Sequence, residues 1–470
     1  MYVDKFCDKT YDNILDSVRR VHFVGIGGSG MCPLAEILIA KGYDVSGSDS
    51  NDGDTLKRIK SYGIPVFMGH DKKNINGAEL VVYTAAVKQD NPELAAAREN
   101  GIPTVERSVM LGIVSRRFKN TIAVAGTHGK TTTTAMIAQI LIGSHFEPTA
   151  VIGGTLPNIG GNSYVGNSEL FVCEACEYVD SFLQITPSTA VILNVDADHL
   201  DYFENIDNIK KSFAKFTAQT SGTVIVNGDD ENALDSVKNA AVPVVTFGFG
   251  ENNNYRAVMT SPQSTVYDAF DFYFNNKKLC NIQLSVPGKH NVYNALAAAA
   301  AAHNAGVSPE DISENLNKFT GVHRRFEILG QHCGITVADD FAHHPTEITA
   351  TLSAAMQMGF RKVWNVFQPH TYSRTAVLLD DFAKALSIVD EAVILEILPV
   401  RETNTYNIYN TDLGEKVVGS KCIDTFADAA DYVCKHAEPG DLILTMGGGN
   451  VYMCANMIND TLEKKENNNL

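Results

Sequence analysis

Short apolar runs alternate with amphipathic, helix-type stretches over the first 115 residues of the chain. Strands are predicted at Val21–Val24, Asp44–Gly47 and Glu79–Tyr83, and a helix is predicted from Cys32 to Lys41. Apolar runs of about four to eight residues are typical of buried strands, and their alternation with helices is typical of a parallel, doubly wound sheet. This part of the chain is therefore predicted to be an α/β domain.

The same alternation resumes after two boundaries. A strand at Thr121–Ala125 follows the basic, polar stretch 115–120, which puts the first boundary near residue 117, and the second is predicted near Gly321. Residues 252–285 alternate aromatic and polar positions and predict an antiparallel insertion before a helix near Val292–Ala302. The other predicted strands are Ala190–Asn194, Gly222–Asn227, Thr336–Asp339, Val363–Phe367, Ala392–Leu395 and Asp441–Thr445.

The predicted fold is therefore α/β with three domains, at residues 1–117, 118–321 and 322–470. A length of 470 residues is too great for one compact core and fits this division. The Asn-rich tail after Lys464 is predicted to be disordered, because it lacks apolar residues to bury.

Composition narrows the functional class. A formal net charge of -17 argues against a general nucleic-acid binder, and no apolar stretch approaches the roughly 20 residues that cross a bilayer. Nine cysteines, an odd number scattered along the chain, fit a reducing compartment. The start, Met1–Asp8, lacks the basic and apolar regions of a secretory signal. We expect a cytoplasmic protein with neither nucleic acid nor membrane as a partner.

A glycine-rich segment follows the first predicted strand. It reads Gly25-Ile-Gly27-Gly28-Ser-Gly30, and Asp49 ends the next strand. Such glycines let backbone N–H groups approach a pyrophosphate at a helix N-terminus, where the helix dipole favours an anion. The pattern identifies a pyrophosphate and not a nicotinamide. It predicts a nucleotide diphosphate site, with NAD(P) and a purely structural turn as weaker alternatives.

A second glycine-rich loop lies between a predicted strand and a helix. It reads Gly126-Thr127-His128-Gly129-Lys130-Thr131-Thr132. In a phosphate loop, backbone N–H groups cradle the phosphates, a Lys offsets their charge and a hydroxyl binds magnesium. Lys130 and Thr131 have the positions for these two roles, although Val124 stands where the general pattern has its first Gly. The loop predicts ATP and Mg²⁺.

Two later strand ends carry groups that bind Mg²⁺. Glu174 follows Phe171–Cys173, and His199 lies inside the acidic segment 196–201, which follows Ala190–Asn194. An isolated His is more often structural, but one inside an acidic cluster at a strand end favours a role at the metal.

Two further motifs are weaker when taken alone. Residues His290, Asn291 and Asn294 open a predicted helix with side chains able to read the donors and acceptors of an adenine ring. Arg324 and Arg325 supply guanidinium groups suited to phosphate oxygens, with surface salt bridges as the alternative.

Taken in order, these segments resemble the Mur ligases of bacterial cell-wall synthesis over most of the chain. The remaining marks of the resemblance are Asp339-Asp-Phe-Ala-His343-His-Pro-Thr-Glu347, Phe367-Gln-Pro-His370-Thr-Tyr-Ser-Arg374-Thr375 and Gly447-Gly-Gly-Asn450. The double-His and Gln-Pro-His motifs resemble the alanine-adding branch and its relative, the muropeptide-recycling ligase. The resemblance implies an N-terminal Rossmann-like domain for a UDP sugar, a central P-loop ATPase-like domain and a C-terminal Rossmann-like domain for the amino acid.

The implied reaction is ATP-dependent. ATP would phosphorylate the lactyl carboxylate of UDP-N-acetylmuramate, and the amine of L-alanine would attack the acyl phosphate, leaving ADP and phosphate. The resemblance makes Lys130, Glu174 and His199 the catalytic residues. Thr131, Glu174 and His199 would hold Mg²⁺, as two ions for which Mn²⁺ could substitute. The expected oligomeric state is a monomer or a homodimer.

The resemblance also implies the ligand contacts. The UDP sugar would be bound by Gly27, Gly28, Gly30 and Asp49. The amino-acid or muramoyl end would be faced by His344, His370 and Arg374. ATP would be bound by Gly126, Thr127, His128, Gly129, Lys130, Thr131, Thr132, His290, Asn291, Asn294, Arg325 and Asp340.

Three positions depart from the family pattern. Cys176 replaces an acidic residue, Phe341 replaces a Tyr, and Thr371 replaces a frequent Arg. The recycling ligase, which adds a tripeptide to the same sugar nucleotide, stays an alternative. A dehydrogenase using Gly25 to Gly30 and a sugar-nucleotide sensor without turnover are alternatives of other classes, but they leave Lys130 without a role.

Overall fold

The computed structural model describes residues 11–260, 267–400 and 402–468, so the segment Met1–Asp8 lies outside the described residues. The described chain forms two compact units. Unit 1 draws its residues from Met1–Val258, Phe272–Cys280 and Asn294–Leu316. Unit 2 draws its residues from Met259–Asp271, Asn281–Tyr293 and Asn317–Leu470.

The first region of unit 1 is a small parallel sheet with helices. Its elements are α1 (Ile14–Ser17), β1 (Arg20–Val24), α2 (Cys32–Ala40), β2 (Asp44–Asp49), α3 (Asp54–Ser61), β3 (Val66–Met68), a 3₁₀ helix (Lys72–Ile75), β4 (Leu80–Tyr83), α4 (Pro92–Glu99), β5 (Thr104–Glu106) and α5 (Arg107–Ser115). The strand order is β3-β2-β1-β4-β5, and all neighbours run parallel. Because parallel strands end at one edge, the glycine turn after β1 and Asp49 at the end of β2 meet there.

The middle region has a larger sheet, and its residues belong to unit 1 except for the segments Met259–Asp271 and Asn281–Tyr293 and Asn317. Its elements begin with β6 (Asn120–Ala125), α6 (Lys130–Gly143), β7 (Thr149–Leu156), a 3₁₀ helix (Pro157–Ile159), β8 (Gly161–Tyr164), β9 (Leu170–Glu174), a 3₁₀ segment (Tyr178–Gln184), β10 (Thr189–Ile192), α7 (Leu200–Phe203) and α8 (Ile206–Ala218). They continue with β11 (Thr223–Asn227), α9 (Glu231–Val237), β12 (Val244–Gly248), β13 (Tyr255–Met259), β14 (Tyr267–Phe274), β15 (Lys277–Pro287), α10 (Lys289–Asn304) and α11 (Pro309–Asn317).

The order of this sheet is β15-β14-β13-β12-β11-β10-β6-β9-β7-β8. Strand β6 lies between β10 and β9, and both pairings are parallel. The loops that follow these three strands therefore meet at one edge of the sheet, and they carry the phosphate loop, Asn194 and Glu174.

The predicted insertion at 252–285 forms strands, apart from residues 261–266, which are not described. Strands β14 and β15 are neighbours joined by Asn275 and Asn276, both with positive φ. A two-residue connection with two left-handed residues is a hairpin turn, so this pair runs antiparallel as predicted.

The C-terminal part of unit 2 has one sheet between helices. Its elements are β16 (Glu327–His332), β17 (Ile335–Asp340), α12 (Pro345–Met356), β18 (Val363–Phe367), α13 (Tyr372–Val377), α14 (Leu379–Leu386), β19 (Glu391–Ile394), α15 (Asn410–Gly414), β20 (Lys421–Cys422), α16 (Phe426–His436), β21 (Leu442–Met446) and α17 (Tyr452–Asn468). The order is β16-β17-β21-β18-β19-β20, and only β16 pairs antiparallel among the described strands.

The two regions of unit 1 are joined by buried polar contacts. The Arg58 guanidinium donates to a Glu36 carboxylate oxygen at 2.6 Å and to the Ser163 hydroxyl at 3.0 Å. The Asn162 side chain donates to the carbonyl of Ser29, inside the glycine turn, at 2.7 Å. The glycine turn after β1 and the middle sheet are therefore in direct contact within unit 1.

The prediction of a disordered tail after Lys464 is wrong for the described residues. Helix α17 continues to Asn468, with Ile458 and Leu462 fully buried. The Glu466 carboxylate also accepts a hydrogen bond from the backbone N–H of Cys333 at 2.8 Å. This contact with a distant loop extends the helix beyond the point at which its local composition turns polar.

Candidate active site

The phosphate loop leaves β6 and enters α6 through two glycines that no other residue could replace without strain. Gly126 and Gly129 have φ values of 147° and 84°. A Cβ on Gly129 would lie 2.4 Å from the Asn294 side-chain oxygen, and one on Gly126 would lie 2.9 Å from Leu193. Both glycines are thus required by backbone geometry and by close neighbours.

Asn194, at the end of the neighbouring strand, supports the loop from both sides. Its side-chain oxygen accepts from the His128 N–H at 2.8 Å, and its side-chain nitrogen donates to the His128 carbonyl at 3.0 Å. The Thr127 hydroxyl accepts from the Asp196 N–H at 2.9 Å. Residues 127 and 128 are therefore held by the segment that leads to His199.

Lys130 is engaged with its own loop and with a carboxylate. Its ammonium donates to the carbonyls of Gly126 at 2.5 Å and Thr127 at 3.0 Å, and it lies 2.9 Å from a Glu177 oxygen. Burial alone would lower the pKa of the Lys130 ammonium, but the Glu177 carboxylate raises it well above its usual range. Lys130 therefore stays charged.

Thr131 and Glu174 lie side by side. The Thr131 hydroxyl donates to a Glu174 oxygen at 3.1 Å, and the other oxygen accepts from the Gly153 N–H. A hydroxyl and a carboxylate at the mouth of a phosphate loop are the oxygen donors that Mg²⁺ prefers beside a nucleotide. The donor set fits the predicted metal.

His199 lies at the start of α7 with a φ of 54°. Its ring is packed 4.5 Å from the ring of Tyr178, and its Nε2 lies 3.7 Å from an Asp198 oxygen. Tyr178 follows Glu177 directly, so one short segment contacts both Lys130 and His199.

The glycine turn after β1 lines a cavity of about 410 Å³. The lining residues are Gly25, Gly27, Gly28, Asp49, Ser50, Asn51, Gly53, Thr55, Leu56, His70, Thr84, Ala86 and Val87. The Gly27 N–H donates to an Asp49 oxygen at 2.8 Å. Gly30 has another reason to lack a side chain, since a Cβ there would lie 2.9 Å from Arg107.

In unit 2, the two adjacent arginines differ. Arg324 donates to Asp339 at 2.9 Å and to the carbonyls of Gly447 and Gly449, at 2.9 Å and 2.8 Å. All three nitrogens of the Arg324 guanidinium therefore make structural hydrogen bonds. The Arg325 guanidinium lies 5.2 Å from the centre of the Phe341 ring.

Asp340 and His290 are titratable groups of the same unit. Asp340 ends β17 and accepts from the N–H groups of Phe326 and Ala342, both at 2.7 Å. Burial raises the pKa of Asp340 to about 6, although the charge of Arg325 opposes the shift. Burial lowers the pKa of His290 to about 4.

Asn291 and His344 have local structural contacts. The Asn291 side chain donates to the carbonyl of Pro287 at 2.7 Å. His344 is 5% exposed and caps α12, where its Nδ1 accepts from the Thr346 N–H at 3.3 Å. The structure thus gives each side chain a partner in its own segment.

Of the predicted amino-acid residues, His370 and Arg374 lie together at the carboxyl ends of the strands of unit 2, next to His343, whereas the contact shown for His344 is the cap of α12. Arg374 Nη1 lies 3.2 Å from His370 Nδ1, and the ring of His370 is 5.4 Å from that of His343. A Cβ on Gly448 would lie 3.1 Å from both rings. Two imidazoles and a guanidinium therefore share a narrow space suited to a carboxylate.

Three family models match successive parts of the chain. Residues 20–119 match the family model described as "Mur ligase family, catalytic domain", residues 124–302 match "Mur ligase middle domain", and residues 324–449 match "Mur ligase, glutamate ligase domain". A UDP-N-acetylmuramate–L-alanine ligase of Acetivibrio thermocellus is 46% identical over 95% of this chain and 97% of that protein.

This chain belongs to the Mur ligase family.

Two solved structures of Mur ligases resemble the fold. The UDP-N-acetylmuramate–alanine ligase of Thermotoga maritima gives a TM-score of 0.81 at 30% identity, covering 95% of this chain and 99% of that one. A murein peptide ligase from Psychrobacter arcticus gives a TM-score of 0.74 at 27% identity, covering 95% of this chain and 99% of that one. No helix within the described ranges has the length and apolar character needed to cross a bilayer.

The structure shows the contacts of Phe341 and Thr371, two of the residues that depart from the Mur ligase pattern. The ring of Phe341 lies under the guanidinium groups of Arg324 and Arg325. The Thr371 hydroxyl caps α13 by accepting from the Arg374 N–H at 3.4 Å. Thr371 therefore orients α13, the helix that carries Arg374.

Sequence reasoning missed the roles of Asn194 and Glu177 in this Mur ligase. In the sequence, Asn194 is predicted only as the end of a strand, and Glu177 follows Cys176, the residue that replaces an acidic one. The position of Asn194 at the end of a predicted strand beside the phosphate loop could have indicated its contacts. No pattern in the sequence pairs Glu177 with Lys130.

Proposed function

We propose that the chain is an ATP-dependent carboxylate–amine ligase that joins L-alanine to the lactyl carboxylate of UDP-N-acetylmuramate. The observation that carries the proposal is the phosphate loop beside the Thr131–Glu174 pair, within a chain similar over 95% of its length to an alanine-adding ligase. A carboxylate is a poor electrophile until it is phosphorylated, and this site carries the groups that phosphoryl transfer requires.

Lys130 would offset charge on the β- and γ-phosphates. The nucleotide would have to replace the contacts of its ammonium with Glu177 and the loop carbonyls. Thr131 and Glu174 would hold one Mg²⁺, and His199 would help to hold a second. When bound, the ions would supply positive charge to the transferred phosphoryl group.

The cavity beside Asp49 would hold the UDP sugar. Its backbone N–H groups at Gly27 and Gly28 suit a pyrophosphate, and its volume of about 410 Å³ suits a nucleotide portion. Gly30 would also bind the UDP sugar, and its lack of a side chain lets the turn pack against Arg107.

The remaining predicted site residues would complete the reaction. Asp340 would accept from the ATP ribose and Arg325 would contact phosphate, while His290, Asn291 and Asn294 would surround the adenine. His370 and Arg374 would bind the carboxylate of the amino acid, so that its amine can attack the acyl phosphate, and His344 would support them from the start of α12. ADP and phosphate would leave with the amide as products.

The same proposal retains three functional domains at 1–117, 118–321 and 322–470, a cytoplasmic location and a monomeric or homodimeric state. The division agrees in order with the three matched family models.

The experiment is phosphate release from ATP with UDP-N-acetylmuramate and alanine, glycine, serine or the muropeptide tripeptide supplied side by side. We expect release that depends on both the sugar nucleotide and L-alanine. Release with the tripeptide alone would assign the chain to the recycling branch instead. No comparison favours a dehydrogenase.

A further inference from the structure

The segment between Glu174 and β10 contains two consecutive left-handed residues that are not glycine. Val179 has φ 54° and ψ 32°, and Asp180 has φ 56° and ψ 23°. A β-branched residue in this region is an outlier, because its Cβ crowds the backbone. Such conformations persist only where the surroundings enforce them, and they are enriched at functional sites.

Asp180 supplies the enforcing contacts. Its side chain is buried, with one oxygen accepting from the Tyr202 hydroxyl at 2.7 Å and the other from the Ser212 hydroxyl. Its backbone N–H donates to the carbonyl of Glu177 at 2.9 Å. Tyr202 lies on α7 and Ser212 on α8, so one carboxylate ties the turn 177–180 to both helices that follow His199.

The turn 177–180 places the side chains of Glu177 and Tyr178 against two different residues. Glu177 reaches the Lys130 ammonium, and the half-exposed ring of Tyr178 lies 4.5 Å from the His199 ring at an angle of 37°. Tyr178 also contacts the Tyr202 ring edge-on at 6.4 Å. The strained backbone is therefore what brings an aromatic ring against His199.

We propose that Asp180 is a positioning residue of the nucleotide–metal site: by holding the turn 177–180 in its left-handed form, it keeps Tyr178 against His199 and so fixes the orientation of that imidazole. The inference rests on the proposed role of His199 at the metal. Asp180 itself touches neither nucleotide nor metal in this scheme.

The first test is Asp180→Asn, which keeps the size of the side chain and removes its charge. We expect Mn²⁺ binding in the presence of ADP, measured by electron paramagnetic resonance, to weaken by about 10- to 100-fold. Affinity for UDP-N-acetylmuramate, measured by calorimetry, is expected to stay within about twofold, because its cavity is lined by other residues.

The second test separates positioning from simple packing. Glycine adopts positive φ without a Cβ clash, so Val179→Gly removes part of the strain that Asp180 must hold. In the double variant Asp180→Asn with Val179→Gly, we expect Mn²⁺ affinity to recover at least severalfold. A double variant no better than Asp180→Asn alone would overturn the proposal.

Two variants keep the test usable if Asp180→Asn does not fold. Tyr202→Phe and Ser212→Ala each remove one hydroxyl donor, and each is expected to weaken Mn²⁺ binding by a smaller factor in the same direction. Unchanged Mn²⁺ affinity in both variants would contradict the role of Asp180.

A matched control is Asp441→Asn in unit 2. Asp441 is also a buried carboxylate held by two side chains, since it accepts from Arg361 at 2.8 Å and from Trp364 at 2.9 Å. It lies at the amino end of β21, away from the glycines 447–449 at the other end. We expect lower thermal stability with unchanged Mn²⁺ affinity. An equal loss of Mn²⁺ affinity would show a general effect of destabilisation.

The wild-type protein separates this inference from the proposed function. If it binds no Mn²⁺ with ADP and releases no phosphate, the assignment of the nucleotide site itself fails. If it does both and Asp180→Asn does so equally well, only the positioning role is overturned.

Discussion

The two glycine-rich segments of unit 1 present their ligand-binding groups in different states. The turn Gly25 to Gly30 lines an open cavity, and two of its backbone N–H groups donate to neighbours, that of Gly27 to Asp49 and that of Gly28 to the Gly25 carbonyl. The loop Gly126 to Thr131 is internally bonded: Lys130 contacts two loop carbonyls and Glu177, and Thr131 contacts Glu174.

The difference indicates two modes of binding. At the turn, a nucleotide diphosphate must compete with the Asp49 carboxylate and the Gly25 carbonyl for the N–H groups of Gly27 and Gly28, whereas a triphosphate at the phosphate loop must also replace the ion pair of Lys130 with Glu177. Affinity at the first segment should depend mainly on backbone geometry, and affinity at the second should depend mainly on the exchange of partners at Lys130. Substitutions that act on one segment and spare the other can break or sharpen this comparison.

The largest effect is expected from Lys130→Ala. Removing the cation from the phosphoryl-transfer site should lower turnover by about 10³-fold or more. Binding of UDP-N-acetylmuramate, measured by calorimetry, should be unchanged, because the turn belongs to a separate sheet. Loss of sugar-nucleotide binding in this variant would contradict the separation of the two sites.

A crossed pair of glycine substitutions should give the next largest effects. Gly129→Ala adds a Cβ 2.4 Å from Asn294 at a φ of 84°, so ATP affinity should fall by about 100-fold. Gly27→Ala adds a Cβ 3.0 Å from Asp49 and should weaken UDP-sugar binding by roughly tenfold. Calorimetry of each variant with each nucleotide checks this prediction. An equal loss of affinity for both nucleotides in either variant would contradict it.

The side chains that support the two segments should matter less. Asn194→Ala removes both hydrogen bonds to His128 and should raise the KM for ATP by about tenfold. Asp49→Ala removes the acceptor of the Gly27 N–H and should weaken only the UDP sugar, by a similar factor. Steady-state kinetics with each substrate varied in turn would give both KM values for each variant. A raised KM for the UDP sugar in Asn194→Ala, or for ATP in Asp49→Ala, would contradict the prediction.

The smallest effect, of opposite sign, is expected from Glu177→Gln. Without the competing carboxylate, Lys130 should meet the phosphates more readily, and ATP should bind about threefold more tightly. The free energy of unfolding should fall, since a buried cation loses its partner. Weaker ATP binding in a folded Glu177→Gln protein would show that the ion pair orients Lys130 for the nucleotide.

Much of the fold was predictable because its signals are local. The predicted strand Val21–Val24 corresponds to β1 (Arg20–Val24), and the predicted helix from Cys32 to Lys41 corresponds to α2 (Cys32–Ala40). The antiparallel insertion was also predicted from alternation alone. The tail after Lys464 was not, because its helix depends on a contact between Glu466 and Cys333, far apart in the sequence.

The candidate site shows the same limit. Lys130, Thr131 and Glu174 were predicted as site residues because a loop motif and the ends of strands indicate them, and the structure brings Thr131 and Glu174 together. The turn at Val179 and Asp180 has no such signal, since neither residue type favours a left-handed backbone as glycine does. Its conformation follows from contacts with Tyr202 and Ser212, which only folding brings near.

The pKa shifts of Asp340 and His290, raised and lowered by burial, act against each other in mild acid. Between about pH 4 and 6, folded Asp340 holds a proton that the unfolded chain would have released, so its contribution to stability falls as the pH rises. Over nearly the same range, folded His290 stays neutral while the unfolded chain would bind a proton, so its contribution rises with pH. The two slopes oppose each other, and replacing either residue alone would expose the slope of the other in a series of melting curves against pH.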